Sequence, residues 1–369
     1  MRRIILFFAV LLLLSPQVVA ADTEAAAGTA GQTELYDTSG LQQALPSDVL
    51  DTLDGLSPTE EQDLVSGVAD ILASATQDAG GFLRAALRTA AVVMAAVMLC
   101  GLLSRIDTGI SANGVAIAGV LAITAACAGS LGTMLSVGQQ TLDRIQTFST
   151  ALLPTMAAAT VAVGAVNASA AIYAGTVMFS NFLILLTNTL LMPLVYAYVA
   201  ACAADAAIGN DSLKQMAGLI RWAIVNGLKI LLLVFTGFLT ITGVISGTAD
   251  AATVKAAKLT LSGMVPVVGS IIGDASETVL VSAGILRSTV GVFGMLAVLG
   301  ICAAPFLQIG LHYLTLKVTA AVSGIIGDKR LSGLVEALGS AMSFILAMTG
   351  ACALILLISC VCSMKAVSV

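Results

Sequence analysis

The chain of 369 residues is 58% hydrophobic and 10% charged, with a formal net charge of −5, one His, one Trp and 35 Gly. A soluble domain carries roughly a quarter charged residues, so this composition excludes a soluble globular protein and describes an all-α, polytopic helical integral membrane protein. The surplus of acid, and its confinement to one segment, excludes nucleic acid as a partner and leaves the lipid bilayer as the first one.

The amino terminus, MRRIILFFAVLLLLSPQVVAAD, places Arg2 and Arg3 before an apolar core from Ile4 to Leu14, followed by Pro16 and the small-residue pattern Val18, Val19, Ala20. This predicts a secretory signal peptide over residues 1–20, cleaved after Ala20 or Ala21, with an uncleaved anchor as the alternative. Residues 21–83 are then a small exported segment, which holds twelve of the 21 acidic residues and no Lys or Arg. Its first part, ADTEAAAGTAGQTE, has the composition of a disordered segment. After Pro46 the pattern changes. Ser57-Pro58-Thr59-Glu60 reads as a capping box with Pro at the first helical position, and Leu64, Val65, Val68, Ile71 and Leu72 follow at helical spacing. The result is a short amphipathic helix whose apolar stripe needs a partner protein or the membrane surface.

Residues 84–369 form the membrane domain. Apolar runs at Ala86–Leu103, Val115–Val137, Ala151–Tyr173, Val177–Ala204, Trp222–Ile245, Thr289–Leu311 and Ala337–Cys362 are each near the ~20 residues that cross a bilayer, giving about seven spans. Two pieces of about 15 residues, Leu259–Gly273 and Tyr313–Gly327, suit re-entrant or interfacial helices better at ~1.5 Å per residue. An exported amino terminus places Arg105 and the Asp250, Lys255, Lys258 loop in the cytosol. The loops around Asp143-Arg144 and from Asp205 to Arg221 fall outside, and Arg84 and Arg88 stand against the positive-inside rule.

The fifth run carries the clearest pattern. Trp222, Asn226, Lys229, Leu233, Thr236, Thr240, Gly243 and Gly247 recur at alternating steps of four and three, so one helix face is polar or small from end to end. A cation at the depth of Lys229 needs a partner or water, and the Gly243–Gly247 step permits close helix approach. Packing with a snorkelling lysine, a water-lined pathway and a subunit interface are all compatible with that face.

Asp274 and Glu277 lie in VPVVGSIIGDASETVLVSAG. After a short apolar piece ending at Gly273 they have the spacing of a capping box for the next helix; an acidic ring at a conduit mouth is the rival reading. LTLSGMVPVVGSIIGDASETVLVSAG at 259–284 also echoes LTLKVTAAVSGIIGDKRLSGLVEALG at 314–339, in the manner of transporter repeats or by chance in Gly- and Ile-rich sequence.

Chemistry-bearing motifs are missing from the sequence. GIIGDKR at 324–330 lacks the spacing and the Lys-Ser/Thr end of a phosphate loop, His312 alone cannot form HExxH, and GxSxG does not occur. The seven Cys fall within or at the ends of apolar runs, as buried small hydrophobes do. The Cys360–Cys362 pair has no His or acid nearby to complete a metal site. The sequence therefore predicts no catalytic residue, metal or cofactor.

The block TVKAAKLTLSGMVPVVGSIIGDASETVLVSAGILRSTVGVFGMLAVLGICAAPFLQ, residues 253–308, resembles the stage III sporulation protein AE family, as does the layout of signal peptide, acidic exported segment and polytopic remainder. The resemblance implies a mother-cell subunit in the membrane around the forespore. Its neighbours would be the other stage III A operon proteins and, indirectly, stage II sporulation protein Q, in a channel or secretion-like complex needed for late forespore gene expression. It supplies no catalytic residues. From the residues alone, a self-contained transporter of a small solute is the alternative.

Overall fold

The computed structural model describes the backbone at residues 41, 43–52, 64–103, 112–162, 166–264, 269–326 and 329–365, with side chains described there except at 51–52, 64–65, 112–113, 162, 166–169, 171, 240, 242–287, 326 and 365. The expected signal peptide and the capping box at Ser57 lie outside the described residues. The described chain is helical: α1 (Ser47–Thr52), α2 (Leu64–Gln77), α3 (Ala79–Leu103), α4 (Ala112–Ala162), α5 (Val166–Leu186), a π-helical turn (Thr187–Leu191), α6 (Met192–Ile208), α7 (Asp211–Met264), α8 (Gly269–Ile326) and α9 (Lys329–Lys365). Among the described residues six stretches are long and apolar enough to cross a bilayer: Ala79–Leu103, Gly114–Val161, Ile172–Ile208, Asp211–Leu239, Ser288–Ile325 and Lys329–Met364.

The expected seven spans and two short pieces divide this helical material differently. α4 runs unbroken through Asp143 and Arg144, where a loop was expected. Leu135, Leu142, Ile145, Phe148 and Leu152 are all buried, so the apolar period never lapses and the polar residues only fill the opposite face. The piece from Tyr313 is likewise part of α8, because Ile309, His312, Leu316, Thr319 and Ser323 stay buried at steps of three and four. At 51 and 58 residues, α4 and α8 are about 76 and 87 Å long at ~1.5 Å per residue, well over twice the ~30 Å hydrocarbon core. They extend beyond any single crossing.

The loop expected from Asp205 to Arg221 is a two-residue turn. Gly209 has φ 73°, the left-handed conformation that ends a helix most easily without a Cβ, and its N–H donates to the Asp205 carbonyl at 2.6 Å. Asn210 then accepts the Ser212 N–H on Oδ1 at 2.9 Å and caps α7. Farther back, Pro193 follows the π turn, where the Met192 N–H reaches the Thr187 carbonyl five residues away. Proline has no N–H to continue the regular ladder, so one wide turn joins α5 and α6 into a single column.

Helix α9 is the axis of the bundle and packs against α4, α5, α6, α7 and α8. α8 runs antiparallel beside it, with Gly291 against Met364 and Gly350 against Phe306. Lipid offers apolar groups as good a solvent as a neighbouring helix, so close packing has to hold the bundle together. Gly138 shows how close. A Cβ there would lie 2.6 Å from Ile345 Cγ2, whereas at Gly132, earlier on α4, nothing lies within 4 Å. Gly138→Ala should therefore cost ~1–3 kcal/mol by overpacking, against a gain of ~0.5–1 kcal/mol in helix propensity for Gly132→Ala. Thermal unfolding in detergent should move in opposite directions for the two variants.

The segment before α3 is docked on the bundle. Leu41, Leu45 and Val49 are buried, Val49 packs on Gly300 of α8, and Asp48 pairs with Arg144 of α4 at 3.0 Å. Gly67 of α2 packs against Leu296, and Ile71 is buried. Of the predicted apolar stripe, Ile71 is thus buried where α2 packs on the chain's own α8, Val68 is half-buried and Leu72 is 58% exposed, while the side chains of Leu64 and Val65 lie outside the described ones.

Candidate functional site: polar faces on the outside of a membrane bundle

Between Asp211 and Leu239, α7 buries Ala217, Ile224, Leu228, Leu231, Phe235 and Leu239 against the bundle. Phe235 and Phe238 close on Phe179 of α5, with ring centroids 5.3 and 5.8 Å apart, which fixes the rotation of the helix. At ~100° per residue the predicted polar stripe falls roughly opposite this buried face. Trp222 is 64% and Leu233 74% exposed, Lys229 and Thr236 are exposed and Asn226 is half-buried. The polar groups between them are satisfied within the helix. Asn226 Nδ2 donates to the Trp222 carbonyl at 3.0 Å and Thr236 Oγ1 to the Leu232 carbonyl at 2.8 Å.

Lys229 differs, having no ion-pair partner among the described residues. It sits within the Asp211–Leu239 span, where an isolated ammonium facing lipid costs ~2.5–3.5 kcal/mol on insertion scales. Such a face is stable when covered by protein or water. The other predicted residues are placed by backbone only: Thr240, Gly243 and Gly247 lie on α7, and Asp274 and Glu277 on α8. Here the capping assignment needs correcting. α8 begins at Gly269, so Asp274 lies in its second turn and not at the non-helical position an N-cap requires. In the sequence echo, IIGD at 271–274 lies inside α8, whereas Ile325 and Ile326 of the second copy are the last two residues of α8.

A second outward polar face lies on α4. Ser136, Gln140, Asp143, Thr147 and Thr150 are exposed, and Gln140 donates to Ser136 Oγ at 3.2 Å while Thr147 and Thr150 bond back along the helix. Sequence reading missed it by treating Asp143 and Arg144 as a loop. The signal was present as steps of four, three, four and three through SVGQQTLDRIQTFST.

Inside the bundle, hydroxyls join helices instead of opening a path. Thr160 of α4 bonds Ser363 of α9 at 2.9 Å, and Thr176 of α5 bonds Ser359. Thr160, Ser359 and Ser363 border a cavity of about 10 Å³, room for one water at most. A larger opening of about 370 Å³ between α5 and α7 is lined by Phe179, Phe182, Leu186, Ile230, Leu231 and Val234 and is apolar. His312 is buried and donates Nδ1–H to the Gln308 carbonyl of its own helix at 3.1 Å. Among the described residues no three His, Cys, Asp or Glu side chains converge as a metal site, and all seven Cys are free thiols.

The profile of stage III sporulation protein AE matches residues 59–366. Stage III sporulation protein AE of Bacillus subtilis (strain 168) is 23% identical over 193 residues, covering 52% of this chain and 48% of the relative. The match thus spans about half the length of that relative. No solved structure matches the chain. With the family profile covering all but the ends of a helical bundle that has six membrane-compatible helices, the chain belongs to the stage III sporulation protein AE family.

Proposed function

We propose that the chain is a membrane subunit of the channel or secretion-like complex that links mother cell and forespore and sustains late forespore gene expression. It would sit in the mother-cell membrane around the forespore, with its amino-terminal segment outside the cytoplasm, among the other stage III A operon proteins and indirectly with stage II sporulation protein Q. Family membership supports the sporulation context. The observation that carries the subunit role is the outward polar face of α7, with Lys229 exposed within a membrane-compatible stretch. A transporter working alone would turn its polar groups inward around a solute. In this bundle the polar faces of α4 and α7 point outward, while the hydroxyl-bordered cavity inside holds one water at most. Purification of a tagged chain from sporulating cells should bring down a stoichiometric multiprotein assembly. A lone protein stabilised by a small solute would overturn the proposal.

Orientation has its own test. With an exported amino terminus, a cysteine replacing Asp211 should react with an impermeant thiol reagent from outside, and one replacing Thr253 only after permeabilisation. The opposite pattern would invert the proposed topology.

A further inference from the structure

The polar stripes of α4 and α7 match each other in spacing, height, direction and charge. Ser136, Gln140, Asp143, Thr147 and Thr150 follow steps of four, three, four and three, as do Trp222, Asn226, Lys229, Leu233 and Thr236. Asp143 lies on α4 between Gly138, which packs against Ile345 of α9, and Gln146, which bonds Asn181 of α5 at 3.5 Å. Asn181 neighbours Ser180, which faces Cys352 of α9 at 4.0 Å, so Asp143 stands at the level of α9 residues 345 to 352. Lys229 lies on α7 where Gly227 and Leu231 face Phe182 and Leu186 of α5. That part of the α5–α6 column lies between Ser180, level with Cys352, and Met192, which meets Gly138 and is level with Ile345. The two charges therefore share one level.

Direction follows from the same contacts. α4 runs parallel to α9, pairing Gly138 with Ile345 and Thr160 with Ser363. α5 is antiparallel to α9 and α7 antiparallel to α5, so α7 and α4 run the same way. They are not neighbours within the chain: α5 and α6 each pack against both, and so separate them. Neither Asp143 nor Lys229 has an ion-pair partner among the described residues, whereas Arg144 is held by Asp48.

We propose that copies of this chain associate side by side in the membrane, the α7 stripe of one lying parallel and in register on the α4 stripe of the next, with Lys229 paired to Asp143 across the contact. The occupant is a second copy because the two faces complement each other in sign at equal height, and rotation about the membrane normal preserves height and direction. Two different patches on each copy make the contact heterologous, so repetition about one axis closes into a ring when the rotation per copy divides a full turn. The 3.5-residue repeat on both stripes is the period at which parallel helices stay in contact along their length. This inference rests on geometry alone and does not require the sporulation role.

The test uses the full-length chain in membranes. Asp143→Lys and Lys229→Asp should each weaken self-association by about tenfold or more, as charge reversal in a close pair does, and the two together in one chain should restore it. Co-expressing the two single variants under different tags should also restore assembly, now as mixed complexes that either tag captures. A photo-crosslinking residue at Leu233, which leaves both charges in place, should attach to α4 of another copy near Thr147. Singles that assemble normally, a double variant as dissociated as the singles, or crosslinks reaching only lipid or α7 of another copy would each overturn the proposal.

Discussion

Lys229→Glu should leave the chain accumulating in the membrane while lowering its recovery in the assembled complex, and with it spore formation. The expected loss in association is about tenfold or more, which corresponds to ~1.4 kcal/mol and lies at the low end of measured coupling between close charges at interfaces. Ile230→Glu is the comparison, because it places the same charge at nearly the same depth but toward the apolar opening shared with α5. Lys229→Glu exchanges one charge for another at this depth, whereas Ile230→Glu adds a charge costing ~2.5–3.5 kcal/mol on translocon scales, so a deficit in Lys229→Glu beyond that of Ile230→Glu reports the face and not charge insertion. Lys229→Leu removes the cation without an insertion cost. Normal sporulation in that variant would mean that Lys229 only snorkels to the interface.

The second large effect concerns the anchor that turns this face outward. Phe235 is fully buried and meets Phe179 edge to face at 5.3 Å with an interplanar angle of 61°. Phe→Ala in a core costs ~3–5 kcal/mol in water, and less here because the exposed alternative is lipid, so ~2–3 kcal/mol is the expected loss for Phe235→Ala. Phe235→Leu should cost under ~1.5 kcal/mol. Thermal unfolding in detergent should rank wild type, Leu and Ala in that order, with protease cutting at the Gly209–Asn210 turn rising in step. A Phe235→Ala chain as stable as wild type would mean that α7 is held by other contacts.

The helical membrane class and the α7 face were legible because each rests on one strong signal, unbroken hydropathy in the first case and a 3.5-residue period in the second. Other features were obscured where two signals competed. At QQTLDRIQ local polarity argued for a loop, yet Leu142 and Ile145 flank Asp143 and Arg144 and are both buried, so the helical period prevailed and a second polar face went unread. At Asp274 the spacing of a capping box was sound, but the choice of where the helix starts was not, because α8 begins five residues earlier. Docking of the segment before α3 depends on pairs such as Val49 with Gly300 and Asp48 with Arg144, which are far apart in sequence. Nothing in the local pattern reports such distant contacts.

The proposed subunit role requires the α7 face bearing Lys229 to meet protein or water, and never lipid. A spin-label scan of positions 222 to 239 in membranes containing the assembled complex tests this most directly, by comparing relaxation by oxygen, which concentrates in lipid, with relaxation by a water-soluble nickel chelate. Positions 226, 229, 233 and 236 should be shielded from oxygen while 230 and 234 are exposed to it, so that accessibility oscillates with the helical period. Oxygen accessibility at 229, 233 and 236 equal to that at 230 and 234 would contradict it.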